Sequence, residues 1–404
     1  MGSCTTSALN WADGQQIGES VDYAYGDEEE ALRSRLRALI DTHVPDDFAG
    51  IFVEGREPFE FTKEFCRVLA DEGLLTLSWP VEYGGQDASV WQQMVLREET
   101  WAHDEPRGPQ YMGLHWVGPA IMAFGTDEQK REHLSRISAG DAVWCQGFSE
   151  PDAGSDLASL RLRATRTDEG WLLNGQKIWT SFADLADWCF LAARTDADGP
   201  KQHGITVFLI PMDRPGITVR PIDTFLGPHH LNEVFFEDVV AYDAEVLGEV
   251  DRGWDVVTAG LTFERTGAAR YARASRILAE VSDVLSDRWD EVPSAMKVRL
   301  ARAAARTKVV QLLYFRVLAE YADGGIPRHA APLAKIASTT LDQEVADVAM
   351  DLLGWRALLG HDADHGVGDG NAEHHWRYFQ SATVAGGTLE IQKMLVARQM
   401  VSPR

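Results

Sequence analysis

The chain has 404 residues, a length that favours two or three domains over a single core. Its formal net charge of -24 at pH 7 argues against a general nucleic-acid binder or a protein docked on an anionic membrane, because phosphate-rich partners need a clustered basic face. No apolar run approaches the roughly 20 residues of a membrane span, and the cysteine spacing indicates free thiols in a reducing compartment. We therefore expect a soluble protein of the cytoplasm.

The first third of the chain is predicted to be helical. Apolar spacing or a capping signal marks three helices, over residues 28–43, 90–102 and 127–137. Asp27, with Glu30 three residues later, is the expected cap of the first helix, and the third helix follows the capping-box pair Thr126 and Gln129. We assign residues 1–141 to an N-terminal helical domain.

Residues 142–248 show short runs of β-forming residues separated by turn residues. Asn174-Gly175 lies between two apolar runs, which predicts a two-residue hairpin turn. Further strands are expected over residues 187–194, 204–211, 217–221 and 232–240. This spacing is typical of a β-barrel or sandwich, so we assign the region to a middle β-domain.

Helical periodicity returns after residue 249 and continues almost to the end of the chain. The expected helices cover residues 262–285, 296–321, 333–353 and 388–401. Glycines between 360 and 370 instead predict a loop, in which we expect the histidines to be solvated and not to bind a metal; these are His361, His365, His374 and His375. We assign residues 249–404 to a C-terminal helical domain.

The segment Trp144–Asp156 stands at the entry to the β-region and reads WCQGFSEPDAGSD. It is rich in glycine, proline, hydroxyl and amide groups. Such a loop can hold a phosphate or a polar ring edge through its backbone N–H groups. From these residues alone, an ordinary turn between domains is the favoured interpretation.

This loop resembles the TEPxAGSD signature of acyl-CoA dehydrogenases, with Ser149 in place of the threonine. The run Asn174–Ser181 is similar to the second signature of that family. Further similar segments make the resemblance extend over nearly the whole chain; they are residues 79–85, 118–130, 187–194 and 386–392. The resemblance implies an α+β fold with an N-terminal helical domain, a middle β-barrel or sandwich and a C-terminal four-helix bundle. It also implies FAD-dependent desaturation of an acyl thioester.

The resemblance assigns a flavin site residue by residue. The positions that match family contacts to FAD are Gln146, Phe148, Ser149, Ser155, Trp179, Thr180, Ser181 and Thr388. The first three would line the pyrimidine edge of the flavin, and Trp179 would cover one ring face beside Thr180 and Ser181. Ser155 would meet phosphate or pantetheine oxygens, and Thr388 would lie near the adenosine diphosphate half. Without the family, Trp179 would be interpreted as a core aromatic of the hairpin.

The chain departs from the common family pattern at the catalytic base. Removing the α-proton of a thioester requires a carboxylate base and hydrogen bonds to the developing enolate oxygen. Many members carry this glutamate where the present chain has Gly386. Other members place it before an arginine on the first C-terminal helix, where this chain has Glu264 and Arg265. The resemblance thus implies Glu264 as base, the Gly386 N–H as oxyanion donor and Arg265 as a pantetheine contact.

Two further departures concern residues that contact the FAD of a neighbouring subunit. The usual arginine with Phe-Gly is missing near residues 287–295, and Asp351 replaces a glutamine. The segments Trp144–Pro151 and Asn232–Phe236 resemble those of a bacterial subfamily of acyl-CoA dehydrogenases. Some members of that subfamily act on bulky thioesters, and some of these form mixed tetramers. Expected partners are therefore an acyl-CoA or acyl-carrier thioester, an electron-transfer flavoprotein, and either further copies in a dimer or tetramer or a homologous chain in a heterotetramer. A flavin oxidase or monooxygenase of the same fold, and a non-catalytic subunit, remain alternatives.

Overall fold

A computed structural model describes residues 24–46, 48, 50–51, 57–226, 230–266, 269–322, 330–360, 363 and 370–401. Within helices it gives the backbone but not the side chains of residues 57–58 and 262–266. No helix among the described residues is long and apolar enough to cross a membrane. The described ranges also contain no group of His, Cys, Asp and Glu side chains that could hold a metal ion.

Helices form the part of the chain that precedes the sheet. They are α1 (Asp27–His43), α2 (Glu57–Asp71), α3 (Val90–Ala102), α4 (Gly118–Phe124), α5 (Asp127–Gln129) and α6 (Ser135–Ser138), the last two joined by a π-helical turn. The capping box of Thr126 and Gln129 is confirmed, with reciprocal bonds of 3.1 and 3.2 Å. The prediction that Asp27 caps α1 is wrong by one residue. Gly26 is the N-cap, and its N–H donates to the Glu29 carboxylate.

The middle of the chain forms one sheet of eight strands. They are β1 (Trp144–Gly147), β2 (Arg163–Thr167), β3 (Gly170–Ser181), β4 (Trp188–Arg194), β5 (Ile205–Pro211), β6 (Ile217–Pro221), β7 (Leu231–Ala241) and β8 (Val246–Leu247). Their order is β6-β7-β3-β2-β4-β5-β8, and β1 pairs in parallel with β4. Successive residues of β4 belong to two different hydrophobic cores. Phe190 packs in the core shared with the N-terminal helices, whereas Leu191 packs in the core formed by the strands themselves. Both faces of this strand are therefore buried.

The predicted hairpin at Asn174-Gly175 is wrong, because β3 runs through both residues without a turn. Gly175 instead lies at a register shift against β7, which is a β-bulge. Its φ of +148° favours glycine, and a Cβ there would meet the Cα of Leu162 at 2.8 Å. The hairpin in this region joins β2 to β3, with Thr167 opposite Gly170. Local turn signals alone did not distinguish a bulge from a turn.

Helices return after the sheet: α7 (Gly253–Thr266), α8 (Arg270–Val284), α9 (Ser294–Ala322), α10 (Ala330–Leu353), α11 (Asn371–Ser381) and α12 (Leu389–Val401). Helix α10 packs against α8, α9, α11 and α12 and so forms the centre of this helical region. The single helix predicted over residues 262–285 is wrong, because α7 ends at Thr266 and Ala269 has a non-helical ψ of 56°. Helix α11 was not predicted. His374 and His375 lie on it and are buried, so the solvated loop is wrong for them, whereas His361 and His365 lie outside the described residues.

A buried carboxylate, that of Asp104, joins the end of α3 to two C-terminal helices. It pairs with Arg273 (2.9 Å, Nε to Oδ1) and Arg276 on α8, and it lies 3.1 Å from Nε2 of His375 on α11. Burial opposes ionisation of Asp104, but the two arginines and His375 outweigh it and hold the pKa of this carboxyl well below its usual range. Asp104 thus links the helices that precede the sheet in the chain to helices that follow it.

Replacing Asp104 by asparagine should destabilise the chain strongly, because the buried Arg273 and the partly buried Arg276 lose their carboxylate. We expect the free energy of unfolding, measured by urea titration near pH 7, to fall by about 3 kcal/mol. Because the folded-state pKa of Asp104 is depressed, its stabilising contribution is present above the ordinary aspartate pKa of about 4 and declines as the pH falls below that value. Asp243→Asn, which breaks an exposed pair with Arg166, is the control and should cost much less. Equal losses in the two variants would contradict this role of Asp104.

Candidate active site

The residues predicted to contact the flavin ring lie on two neighbouring segments, which we call the two arms. One arm is residues 146–149, at the end of β1 and the loop after it, and the other is residues 179–181, at the end of β3. The N–H of Ile178 donates to the carbonyl of Ser149 at 2.9 Å, and the ammonium of Lys177 donates to the carbonyl of Phe148 at 3.0 Å. These bonds bring together two sets of predicted site residues that lie about thirty positions apart in the sequence.

Trp179 combines an exposed side chain with a strained backbone. Its φ is +60°, a left-handed conformation that costs free energy for a bulky residue, and it lies at a register shift between β3 and β7. The side chain is 55% exposed, so its interpretation as a core aromatic of a hairpin is wrong. A large exposed indole held in a strained conformation is typical of a ligand-binding surface.

Buried polar atoms without hydrogen-bond partners lie on or next to the two arms. Among the described residues, Gln146 Nε2, Thr180 Oγ1 and Asn232 Oδ1 are of this kind. Leaving such an atom unpaired costs about 1–3 kcal/mol. The amide N–H donor of Gln146 lies on one arm and the hydroxyl of Thr180 on the other. Both groups fit the edge of a flavin ring, which carries acceptor and donor atoms. The residues present therefore fit the flavin that the resemblance implies.

Asn232 was not among the predicted site residues. It lies on β7 directly opposite Thr180, and its Nδ2 donates to the Thr180 carbonyl at 3.2 Å. No local sequence pattern indicates this proximity, because the pairing of β3 with β7 joins residues 52 positions apart.

The remaining predicted residues of the first loop differ in their exposure. Phe148 is buried and packs against Phe190, with ring centroids 5.4 Å apart. Ser155 is exposed, and the neighbouring Asp156 accepts hydrogen bonds from Lys201 (2.6 Å) and Ser159 (2.5 Å). Phe148 thus has a packing role, while Ser155 is open to solvent.

The closing motif forms a left-handed glycine turn before α12. Gly386 and Gly387 have φ values of +65° and +90°, and Gln392 donates to both carbonyl oxygens, at 3.3 and 3.4 Å. Thr388 caps α12, since its hydroxyl accepts from the N–H of Ile391 at 3.2 Å. Gln392 was not predicted as a site residue. Its fully buried amide holds the orientation of the two glycine peptides.

Glu264 lies in the last part of α7, and Gly386 lies in the turn before α12. Helix α10 packs against both of these helices. The side chains of Glu264 and Arg265 lie outside the described part of the structure. Their roles as base and pantetheine contact therefore stay predictions.

Two positions that depart from the family pattern have partners within the chain. Arg288 pairs with Glu291 at 2.9 Å, and Asp351 pairs with Arg299 at 2.6 Å. All four side chains are largely exposed. These positions thus form surface ion pairs of the kind that contributes little to stability.

Three family models match successive parts of the chain. The acyl-CoA dehydrogenase N-terminal domain matches residues 26–141, the middle domain residues 145–239 and the C-terminal domain residues 251–401. The chain is 32% identical over 383 residues to acyl-CoA dehydrogenase IpdE1 of Mycobacterium tuberculosis (strain ATCC 25618 / H37Rv), covering 92% of this chain and 97% of the relative. It is also 32% identical over 388 residues to acyl-CoA dehydrogenase FadE26 of the same strain, covering 92% and 96%.

Solved structures of similar fold and sequence lead to the same family as these relatives. The structure titled "Tcur3481-Tcur3483 steroid ACAD" superposes with a TM-score of 0.87 at 30% identity, covering 95% of this chain and 100% of that chain. The ChsE4-ChsE5 complex from Mycobacterium tuberculosis superposes with a TM-score of 0.85 at 31% identity and the same coverage. The fold and these relatives thus define a three-domain oxidoreductase of a flavoprotein family. The chain belongs to the acyl-CoA dehydrogenase family, so the expected fold and enzyme class are confirmed.

Replacing Trp179 by leucine should weaken FAD binding without destabilising the protein. Stacking of an aromatic side chain contributes about 0.5–1.5 kcal/mol, so we expect the Kd for FAD to rise roughly three- to tenfold. The free energy of unfolding of the FAD-free chain should change by less than about 0.5 kcal/mol, because the indole is exposed. Tyr242→Leu is the matched control, since Tyr242 is 51% exposed and directly follows β7 of the same sheet. An unchanged Kd in Trp179→Leu would contradict the assignment.

Proposed function

We propose that the chain is an FAD-dependent acyl-CoA dehydrogenase that forms a double bond between the α and β carbons of an acyl thioester. The observation that carries this proposal is the pair of buried, unpaired polar atoms on Gln146 and Thr180 beside the exposed Trp179. These groups suit a flavin ring that lies against the two arms. FAD, when bound there, accepts the hydride and its electron pair from the β carbon.

The side chains of this protein would supply the proton transfer. We propose that the carboxylate of Glu264 removes the α-proton, so that the electrons of the broken C–H bond form the new double bond. The N–H of Gly386 would donate to the thioester oxygen, where negative charge develops. The glycine turn supports this role, because Gln392 binds the carbonyl oxygens of Gly386 and Gly387 and so holds the two peptides that follow this N–H. Arg265 and Ser155 would contact the pantetheine or phosphate part of the carrier.

The remaining site residues would hold the cofactor. We propose that Gln146, Phe148 and Ser149 bind the pyrimidine edge, and that Thr180 and Ser181 bind the central ring under Trp179. Thr388 would lie near the adenosine diphosphate half, at the N-terminus of α12, where backbone N–H groups suit an anion. Proposed domain limits are residues 1–141, 142–248 and 249–404. The change from helices to strands after Ser138, and back after Leu247, supports these limits.

The substrate and the assembly are further parts of the proposal. Similarity to a structure whose title names a steroid acyl-CoA dehydrogenase supports a bulky, steroid-derived acyl-CoA. The titles of two similar structures name pairs of chains, which supports a heterotetramer with a homologous chain over a homodimer or homotetramer. Arg288 pairs with Glu291 and Asp351 pairs with Arg299, so each of these two positions already has a partner within this chain, which agrees with such an assembly. An electron-transfer flavoprotein would reoxidise the flavin in the cytoplasm.

Replacing Glu264 by glutamine should leave FAD binding intact and abolish reduction of the flavin by substrate, because an amide cannot accept the α-proton. We expect the rate at which the absorbance near 450 nm is lost after anaerobic addition of an acyl-CoA to fall at least a thousandfold, an order set by the loss of a general base. Asp255→Asn is the control, since Asp255 lies in the first turn of the same helix and pairs with the exposed Arg252. If the flavin absorbance of the Glu264→Gln variant were lost at the wild-type rate, Glu264 would be excluded as the base.

A further inference from the structure

Two charged side chains are buried beneath the arms of the flavin site. Lys177 is fully buried and Glu150 is 8% exposed, and their Nζ and Oε1 atoms lie 2.8 Å apart. A buried ion pair is a weak source of stability, because the desolvation of both charges offsets their attraction. Burial lowers the pKa of Lys177, while Glu150 opposes that shift. Net stabilisation therefore does not account for the presence of this pair.

Each member of the pair is bonded to a different part of the site. Lys177 lies on β3, two residues before Trp179, and its ammonium also donates to the carbonyl of Phe148 at 3.0 Å. The carboxylate of Glu150 accepts from the N–H groups of Arg161 (2.6 Å) and Leu162 (2.8 Å). The pair thus ties the first arm to the second and both to the start of β2.

We propose that Lys177 and Glu150 are positioning residues for the flavin, whose ion pair holds the two arms at the spacing that FAD requires. This inference rests on the proposed function, since it assumes that the arms bind FAD. Gln146 and Thr180 can bind one flavin together only if the end of β1 and the loop after it keep their place against β3. The Lys177 ammonium holds the loop against β3 by donating to the Phe148 carbonyl, and the Glu150 carboxylate holds the ammonium in position.

The test separates positioning from stability with three variants: Lys177→Met, Glu150→Gln and the double variant. Lys177→Met leaves a buried carboxylate without its cation and should lower the urea midpoint of the FAD-free chain. The double variant removes both charges, so its urea midpoint should recover toward the wild-type value. Its Kd for FAD, measured by titrating the FAD-free chain with FAD and following flavin fluorescence, should nevertheless stay at least tenfold above that of the wild type. The absorbance band of bound FAD should also shift in position or shape.

The matched control is the buried pair of Arg107 and Glu105, both fully buried and 2.6 Å apart, which contacts neither arm. Arg107→Met with Glu105→Gln should leave the Kd for FAD within twofold of the wild-type value. The proposal would be overturned if the Kd for FAD of the Lys177/Glu150 double variant returned to the wild-type value together with its urea midpoint. It would also be overturned if the Kd for FAD of the Arg107/Glu105 control rose by the same factor. If neither Lys177 variant folds, Glu150→Gln alone decides: a Kd raised at least threefold supports positioning, and an unchanged Kd contradicts it. A wild-type chain that binds no FAD would instead refute the proposed function.

Discussion

The ammonium of Lys177 lies at the point where a loop, a strand and a carboxylate meet. It bonds the Phe148 carbonyl and Glu150, and Glu150 in turn bonds the backbone that leads into β2. The sheet supplies the burial that makes these bonds strong, because β3 lies between β2 and β7. The exposed Trp179 and the unpaired atoms of Gln146 and Thr180 all depend on this arrangement. The proposed flavin site thus lies on the sheet, while the proposed base and oxyanion donor come from the helical region after it.

The helical part of the molecule depends on a second charged group. Asp104 connects α3 with α8 and α11, and α11 leads into the turn of Gly386 and Gly387. Arg273 lies over the Trp101 ring as well, 4.8 Å from its centroid, so the ion cluster is packed against aromatic surface. Through these contacts the segment that carries the proposed oxyanion donor is fixed to the N-terminal helices.

Much of the fold followed from local signals in the sequence. The capping box at Thr126 and the apolar periodicities predicted α3, α9 and α10 within a few residues, and alternation with turn residues predicted β4 to β7. The ordered motifs around Ser149 and Trp179 predicted two segments that the structure brings together. Their roles toward FAD, and that of Glu264, came from a resemblance and stay predictions. Physical spacing alone would have favoured an ordinary turn for the first loop.

The errors share a physical cause, which is long-range context. Asn174-Gly175 has the residues of a hairpin turn, but the pairing with β2 and β7 converts it into a bulge. His375 follows a glycine-rich segment, yet the distant Asp104 and a helical environment bury it. Asn232 and Gln392 became site candidates only when the strand pairing and the glycine turn were known. Such contacts join residues far apart in the sequence, so no local pattern signals them.

The most direct test of this account is an anaerobic titration of the FAD-loaded chain, alone and mixed with a homologous partner chain, using short, branched and steroid-derived acyl-CoA thioesters. The account predicts that at least one bulky thioester removes the absorbance near 450 nm in stoichiometric amount and is recovered as its α,β-unsaturated product. It also predicts that an electron-transfer flavoprotein restores the absorbance much faster than oxygen does. Bound FAD that stays oxidised with every thioester, in both preparations, would contradict the account.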